Sequence, residues 1–170
     1  MPVIDIMFVC TGNICRSPLA HRVFEKELAE RGLQQAVSVE SSGTGGWHVG
    51  EDADSRMRRT AARHGLTLHH PAQRLSRRDV QDTHLLFAMA ESHYREIRSM
   101  LRDPADLEGR LYLFHQFDPA LGTSLPVTVD EAPDVPDPYY GGPDGFEDVY
   151  TMVERTCRAI VDEMQAGRLP

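Results

Sequence analysis

Hydrophobic and polar positions along this chain alternate between short apolar runs and longer stripes at helical spacing. Residues 3–9 are mostly apolar, the pattern of a strand that is buried on both faces of a parallel sheet. Apolar residues at helical spacing then cover residues 19–28, and Gly32 provides a stop signal. Ser17 and Pro18 predict the start of this helix, with serine as the N-cap and proline at the first helical position. The chain is therefore expected to open with a strand, a loop and a helix.

The same alternation continues to the end of the chain. Apolar runs predict three further strands, at residues 37–41, 84–89 and 110–114. Helical spacing predicts three further helices, at residues 52–65 (capped by Asp52), 92–101 and 146–164. Strands that alternate with helices indicate βαβ units with right-handed crossovers. We expect a single-domain α/β fold over residues 1–170, with a four-stranded parallel sheet and helices on both faces.

Composition and charge limit which binding partners and which cellular compartment the protein can have. The chain has 170 residues and a formal net charge of −8, which argues against binding to nucleic acid or to an anionic membrane. No apolar run approaches the ~20 residues of a membrane span, and the first residues lack the basic start of a signal peptide. Three cysteines are too few for a disulfide scaffold and indicate a reducing compartment. We expect a cytoplasmic protein, although export without a signal stays open.

Residues 10–17 read Cys-Thr-Gly-Asn-Ile-Cys-Arg-Ser and lie between the first predicted strand and the first predicted helix. Ligands bind at this position in open α/β sheets, and successive backbone N–H groups there form an oxyanion cradle. Arg16 can donate two hydrogen bonds to two phosphate oxygens. Cys10 lies at the start of the loop, where the same donors would stabilise a thiolate that attacks phosphorus. Ser17 can donate its hydroxyl to that sulfur, so we predict a phosphate-binding loop.

Other sites for cofactors and metals lack support in the sequence. A Walker loop needs Gly-Lys-Ser/Thr, and the only lysine is Lys26. The glycines of residues 43–48 do not complete a dinucleotide fingerprint. The eight histidines form no zinc-type motif, and Cys10 and Cys15 are too far apart for a Cys-x-x-Cys pair. We expect neither a cofactor nor a metal.

Two motifs together resemble the low-molecular-weight protein tyrosine phosphatase family. They are residues 9–18, Val-Cys-Thr-Gly-Asn-Ile-Cys-Arg-Ser-Pro, and residues 137–140, Asp-Pro-Tyr-Tyr. The likeness covers nearly the whole chain, including the order of strands and helices. It implies a hydrolase that cleaves phosphotyrosine in proteins, and small aryl phosphates, through a cysteinyl-phosphate intermediate. Inorganic phosphate would be the product, and a monomer is expected.

The resemblance also implies roles for individual residues. Cys10 corresponds to the nucleophile, Arg16 to the phosphate-binding residue and Asp137 to the general acid. The phosphate loop comprises Thr11, Gly12, Asn13, Ile14, Cys15, Arg16 and Ser17. A tyrosyl oxygen, with a phenol pKa of ~10, needs a proton donor to leave phosphorus, which supports Asp137 independently. The alternative is that Asp137 only begins an Asp-Pro turn.

Further residues correspond to the support of the loop and to the cleft. Ser41 and His70 match the residues that hold Asn13 in the turn of the loop. The aromatic walls of the cleft correspond to Trp47, Tyr139 and Tyr140. Cys15 resembles the second cysteine of the family loop, which traps an oxidised Cys10 as a reversible disulfide, and its alternative is a small residue lining the loop. Cys157 is interpreted as core, and the arginines of the second helix as a solvated face: Arg56, Arg58, Arg59 and Arg63.

Three alternative functions on the same fold are distinguished from a tyrosine phosphatase by the residues at a few positions. Ala90 stands where family members commonly carry an acid that would orient Arg16, and this leaves open a phosphate-binding pseudophosphatase. An arsenate reductase of the same fold would need further cysteines, but the corresponding positions hold Asp82, Met89 and Glu91. The related arginine phosphatases carry threonine in place of Ile14, whose apolar side chain favours an aromatic leaving group.

Overall fold

A four-stranded, all-parallel sheet forms the centre of the protein in a computed structural model that describes residues 3–170, the side chain of Pro143 excepted. Its strands are β1 (Ile4–Cys10), β2 (Val37–Gly43), β3 (Leu85–Ala88) and β4 (Leu111–Leu113). They lie in the order β2-β1-β3-β4, and β1 pairs with β2 along its whole length. The predicted four-stranded parallel sheet is confirmed.

Five α-helices connect or follow the strands. They are α1 (Arg16–Glu30), α2 (Ser55–Arg63), α3 (Arg77–Asp82), α4 (Glu91–Ser99) and α5 (Pro143–Gln165). Alternate residues of β1 point to opposite faces, so Phe8 packs in one core while Met7 and Val9 pack in another. The first core contains buried residues of α1, α2 and α5, and the second contains those of α3 and α4. Helices therefore cover both faces, as predicted.

The N-caps of two helices differ from the sequence-based expectation. Helix α1 begins at Arg16 with Cys15 as its N-cap, so the predictions of Ser17 as N-cap and Pro18 as first helical residue are wrong. The hydroxyl of Ser17 is instead buried against Cys10 and Asn13. Helix α2 is capped by Asp54, whose side chain accepts the amide of Arg56, and not by Asp52.

Helix α3 was absent from the sequence-based prediction. It has six residues, and only Val80 among them is buried, so it shows no apolar stripe. Its start is marked only by a local motif, the reciprocal capping box that Ser76 and Asp79 form. The last helix begins at Pro143, three residues before the predicted start at residue 146.

The irregular stretch after β4 crosses the end of the sheet that carries the loop after β1. It contains three short 3₁₀ helices, Phe114–Phe117, Val129–Glu131 and Pro138–Tyr140. The amide of Val135 donates to the carbonyl of Met89 at the end of β3, and the Met89 amide donates to Val9 at the end of β1. In the order β2-β1-β3-β4 the chain reverses direction across the sheet between β1 and β3, which is where ligands bind in open α/β folds. Among the described residues, no helix has the length and apolarity needed to span a membrane.

Candidate active site

The loop between β1 and α1 presents its backbone amides to the end of the sheet. Asn13 has φ 58°, and it is the only residue other than glycine with a positive φ in the part of the chain that the structure describes. Within that part, the amides of residues 12–16 donate to no backbone carbonyl. Unpaired amides in a turn of this kind, ahead of the N-terminus of α1, form a cradle for an oxyanion.

Cys10 lies at the base of this cradle. Its Sγ is buried and lies 2.9 Å from Oγ of Ser17. The side-chain amide of Asn13 donates to the same Ser17 oxygen over 2.8 Å. The hydroxyl proton of Ser17 faces two acceptors, the Cys10 sulfur at 2.9 Å and the carbonyl of Ser42 at 3.4 Å. Donated to the nearer sulfur, it would stabilise a thiolate.

Asn13 is held from both ends of its side-chain amide. Its Oδ1 accepts from Nε2 of His70 over 2.7 Å and from the amide of Gln73 over 2.9 Å, while its Nδ2 donates to Oγ of Ser41 over 3.1 Å. Burial, reinforced by the charge of His21, lowers the pKa of His70 to about 4. His70 is therefore neutral at pH 7 and donates from Nε2. The structure thus brings Ser41 and His70 to Asn13, where the resemblance places them.

Two members of this network went unnoticed in the sequence. His21 on α1 contacts Oγ of Ser41 through Nδ1 at 3.2 Å and Glu25 through Nε2 at 2.8 Å. The hydrogen bond from His21 lowers the pKa of Glu25. Gln73 donates from its side chain to the Ser41 carbonyl over 2.7 Å. Nothing in the local pattern marks their contacts with Ser41, because Ser41 lies twenty positions from His21 and thirty-two from Gln73.

Arg16 points from the start of α1 toward the stretch after β4. Its guanidinium is buried and donates from Nη1 to the carbonyl of Val135 over 3.1 Å and from Nη2 to Oδ2 of Asp137 over 3.4 Å. Ala90 is the N-cap of α4 and offers no side chain to Arg16. The carboxylate of Asp134 caps α4 by accepting the amide of Glu91 over 2.7 Å. The backbone of Val135 therefore orients Arg16 where the family acid is missing.

His93 is a further residue that the sequence did not indicate. It lies in the first turn of α4, is buried, and its Nε2 lies 2.8 Å from the hydroxyl of Thr11 in the phosphate loop. Burial and the positive charge of Arg16 lower the pKa of His93 to about 4. This histidine is thus neutral and supports the loop from the side of α4.

An open cleft of about 340 Å³ lies above Cys10. Cys10, Arg16 and Asp137 line its floor and one side, and its rim carries Trp47, His48, Tyr139 and Tyr140. Trp47 is 75% exposed and Tyr140 is 89% exposed, so these rings are available to a ligand. Exposed aromatic walls above an anion cradle suit a phosphate ester with a flat, apolar group.

Arg56 corrects the interpretation of the α2 arginines as a solvated face. Its guanidinium lies 5.2 Å from the centre of the Tyr139 ring and 4.8 Å from that of Phe146, and it forms an ion pair with Asp54. The contact fixes one wall of the cleft from behind. The local sequence of α2 could not indicate it, because both rings come from elements about eighty residues later.

The two remaining cysteines differ in position. Cys15 is buried beside the cleft, and burial, with the negative charge of Asp54, raises its pKa well above the usual range. It is therefore a thiol at neutral pH. Cys157 is fully buried on α5, as predicted. All three cysteines are free. In the described residues, side chains suited to a metal ion do not form a group of three or more.

Comparisons with known proteins point to one family. A family profile described as low molecular weight phosphotyrosine protein phosphatase matches residues 5–168. The low molecular weight protein-tyrosine-phosphatase of Streptomyces coelicolor is 41% identical over 167 residues, 96% of each chain. A crystal structure of a protein tyrosine phosphatase from Entamoeba histolytica, with Hepes in the active site, matches 98% of this chain and 99% of its own, with TM-score 0.86 and 30% identity. A Drosophila arginine phosphatase matches 95% of this chain and 98% of its own, with TM-score 0.79 and 27% identity.

Proposed function

Because this chain belongs to the low-molecular-weight phosphotyrosine protein phosphatase family, we propose that it hydrolyses phosphotyrosine in proteins through a cysteinyl-phosphate intermediate. The observation that carries the proposal is the position of Cys10 Sγ, 2.9 Å from the Ser17 hydroxyl and beneath a loop of unpaired amides. A thiolate there faces the phosphorus of any phosphate bound in the cradle. The names of the relatives agree with this activity.

The first step transfers the phosphoryl group to Cys10. The sulfur attacks phosphorus and forms an S–P bond, while the bond between phosphorus and the tyrosyl oxygen breaks. Asp137 gives its proton to that oxygen, which otherwise leaves as a poor, strongly basic group. Arg16 and the amides of residues 12–16 bind the other oxygens and stabilise the charge that they carry in the transition state.

The second step returns the enzyme to its starting state. Asp137, now a carboxylate, takes a proton from a water molecule as the water oxygen attacks phosphorus. The S–P bond breaks, Cys10 is a thiolate again, and inorganic phosphate leaves. In the structure Arg16 donates to Asp137 over 3.4 Å, so the carboxyl group lies beside the cradle, where both proton transfers take place.

The cleft favours tyrosine over the other phosphorylated side chains. Ile14 and the rings of Trp47 and Tyr139 line the space above the cradle. An apolar phenyl ring packs on the side chain of Ile14 without the desolvation cost that a charged guanidinium would incur there. The Drosophila relative makes arginine the second candidate. Hydrolysis rates on matched phosphotyrosine, phosphoserine and phosphoarginine peptides decide between them, and equal rates on all three would contradict the preference for tyrosine.

The roles of Cys10 and Asp137 are tested with one series of aryl phosphates. Cys10→Ser should abolish turnover on all of them, since a serine hydroxyl does not ionise in the cradle near neutral pH. Asp137→Ala should slow phosphotyrosine by about 10²–10⁴-fold, and phosphates of acidic phenols far less, because general acid assistance matters most for basic leaving groups. The measurement is kcat for each substrate at one mildly acidic pH.

A matched control is Asp130→Ala, which removes another acid of the same stretch that does not line the cleft. Turnover by Cys10→Ser above trace level would remove Cys10 as the nucleophile. An equal penalty of Asp137→Ala on every leaving group would mean that Asp137 shapes the cleft and donates no proton. Absence of turnover in the wild type would favour the pseudophosphatase that Ala90 leaves open.

We also propose that Cys15 protects Cys10 against oxidation. Peroxide oxidises the Cys10 thiolate to a sulfenic acid, and Cys15 then displaces water from it and loses its own proton as the disulfide forms. Both sulfurs belong to the same short loop, and both cysteines are buried. Treatment with peroxide should inactivate the wild type reversibly, whereas Cys15→Ser should be inactivated irreversibly. Mass spectrometry that finds Cys10 as a sulfonic acid with Cys15 free in the wild type would contradict this role.

The remaining proposals concern the state of the protein. We propose that residues 1–170 form one phosphatase domain that works as a monomer in the cytoplasm, without nucleic acid or membrane partners. Three free cysteines and a net charge of −8 support a reducing compartment and argue against anionic surfaces. Sedimentation at micromolar concentration should give the mass of a single chain.

A further inference from the structure

A buried polar cluster lies behind the segment that carries Asp137. His115 and Asp118 lie in and directly after a short 3₁₀ helix that follows β4, and Arg155 comes from α5. Arg155 donates to both carboxylate oxygens of Asp118 over 2.7 and 2.8 Å. Nε2 of His115 lies 2.7 Å from Oδ2 of Asp118, within hydrogen-bond distance. Asp118 has no exposed surface, so this cluster is built into the protein.

Both ring nitrogens of His115 face acceptors. Nδ1 lies 2.8 Å from the carbonyl oxygen of Pro133, which can only accept a hydrogen bond. Burial disfavours the charge of Asp118, but the hydrogen bonds from Arg155, Ala120 and His115 outweigh it and hold its pKa below the usual value. The carbonyl of Pro133 can only accept, so Nδ1 of His115 donates to it.

Pro133 begins the short run of backbone that leads to Asp137, which we call the acid segment (residues 133–137). Besides the contact from His115, Arg16 donates to the side chain of Asp137 itself, and three further contacts from other elements hold the segment. Asp134 accepts the amide of Glu91, the Val135 amide donates to Met89, and the Val135 carbonyl accepts from Arg16. His115 is the contact that joins the acid segment to α5, through Asp118 and Arg155.

We propose that His115 is a positioning residue for Asp137. Its hydrogen bond to the carbonyl of Pro133 holds the acid segment in the position from which Asp137 reaches the leaving oxygen. The proposal rests on the proposed function, in which Asp137 donates that proton. His115 touches neither the cleft nor the substrate. Proton transfer depends steeply on distance, and a misplacement of about 1 Å can cost about a hundredfold in rate.

Two substitutions separate the two hydrogen bonds of His115. The side-chain amide of asparagine can donate from about the place of Nδ1, and that of glutamine from about the place of Nε2. His115→Asn should keep the bond to Pro133, and His115→Gln should keep only the bond to Asp118. We expect His115→Gln to lose about tenfold or more in kcat on a phosphotyrosine peptide and less than about twofold on a phosphate of an acidic phenol. His115→Asn should keep the wild-type ratio of the two rates.

The control variant is His84→Gln, an exposed histidine at the opposite end of the sheet, which should keep both rates. Equal behaviour of His115→Asn and His115→Gln, or an equal loss on both substrates, would overturn the proposal. Asp137→Ala, measured beside them, tests the acid itself. If it shows no dependence on the leaving group, the proposed role of Asp137 fails, and the positioning role of His115 fails with it. If Asp137→Ala shows the dependence and His115→Gln shows no selective loss, the positioning role alone is overturned.

A second variant covers the case in which substitutions at the buried His115 prevent folding. Asp134→Ala removes a different anchor of the acid segment at an exposed position. It should lower the rate on phosphotyrosine selectively, as His115→Gln does. An unchanged ratio of rates in folded Asp134→Ala would show that anchoring of the segment does not position Asp137, and would overturn the proposal.

Discussion

Asn13 shows how much one residue contributes to the phosphate loop. Its backbone takes a left-handed conformation with φ 58°, which asparagine tolerates better than most residues. Its side chain joins the loop to Ser41, His70 and Gln73. The single position thus combines a conformational demand with hydrogen bonds to two other regions of the chain.

Two substitutions separate these demands. Asn13→Gly and Asn13→Ala both leave buried partners unsatisfied, which costs about 1–3 kcal/mol for each group in the free energy of unfolding. Alanine also carries the strain of the left-handed backbone, so Asn13→Ala should be less stable than Asn13→Gly by about 1–2 kcal/mol. The measurement is urea unfolding at pH 7.

The control pair is Gln81→Gly and Gln81→Ala on the exposed side of α3. There the order should reverse, since glycine is the poorer residue in a helix by about 1 kcal/mol. If alanine were no worse than glycine at position 13, the positive φ would not contribute to stability.

At the scale of elements, the contact between α2 and the 3₁₀ helix Pro138–Tyr140 shapes the cleft. Arg56 lies over the ring of Tyr139, which forms one wall. A cation–π contact of this kind is worth about 0.5–1 kcal/mol at a partly exposed site. Removal of the contact between Arg56 and Tyr139 should therefore weaken the binding of a substrate that packs on Tyr139.

Arg56→Ala should therefore raise KM for a phosphotyrosine peptide by about two- to fivefold, with kcat within about twofold, because the group touches no reacting atom. The measurement is steady-state kinetics on one peptide. Arg59→Ala, which removes an exposed arginine of the same helix, is the matched control and should leave both constants unchanged. An unchanged KM in Arg56→Ala would show that Tyr139 keeps its place without this support.

At the scale of the whole molecule, two buried histidines couple stability to pH. Burial lowers the pKa of His70 and of His93 to about 4, from 6.5. Between these values the unfolded chain binds more protons than the folded protein, so stability falls as the pH falls from about 6.5 to about 4. At pH 7 neither histidine contributes to this loss.

Each histidine should lower the free energy of unfolding at pH 5 by about 2 kcal/mol relative to its value at pH 7. His70→Gln keeps a donor near the place of Nε2 and removes the titration, so its free energy of unfolding should fall less between pH 7 and pH 5. Urea unfolding at both pH values checks this. A pH dependence equal to that of the wild type in His70→Gln would mean that His70 takes up its proton without loss of structure.

The local features of this protein were readable from the sequence because they depend on neighbours in the chain. Apolar runs and helical stripes predict all four strands and the helices α1, α2, α4 and α5, since burial on one or two faces leaves a period of two or 3.6 residues. The loop after β1, with Cys10, Asn13, Arg16 and Ser17, is one continuous stretch, so the sequence alone predicts a phosphate loop there. Helix α3 was missed because a single buried residue, Val80, creates no period.

Only the tertiary structure decided what lies behind the loop. Gln73 contacts the loop from the segment after α2, and His93 contacts it from α4. His21 on α1 contacts Ser41, which in turn holds Asn13. On the opposite side of the cleft, Arg56 contacts Tyr139 and His115 contacts the carbonyl of Pro133. The start of α1 also depended on it, because Ser17 gives its hydroxyl to Cys10 and Asn13 and leaves the helix cap to Cys15. Hydrogen bonds between distant residues leave no periodic trace in a sequence, since their geometry exists only after the strands have aligned.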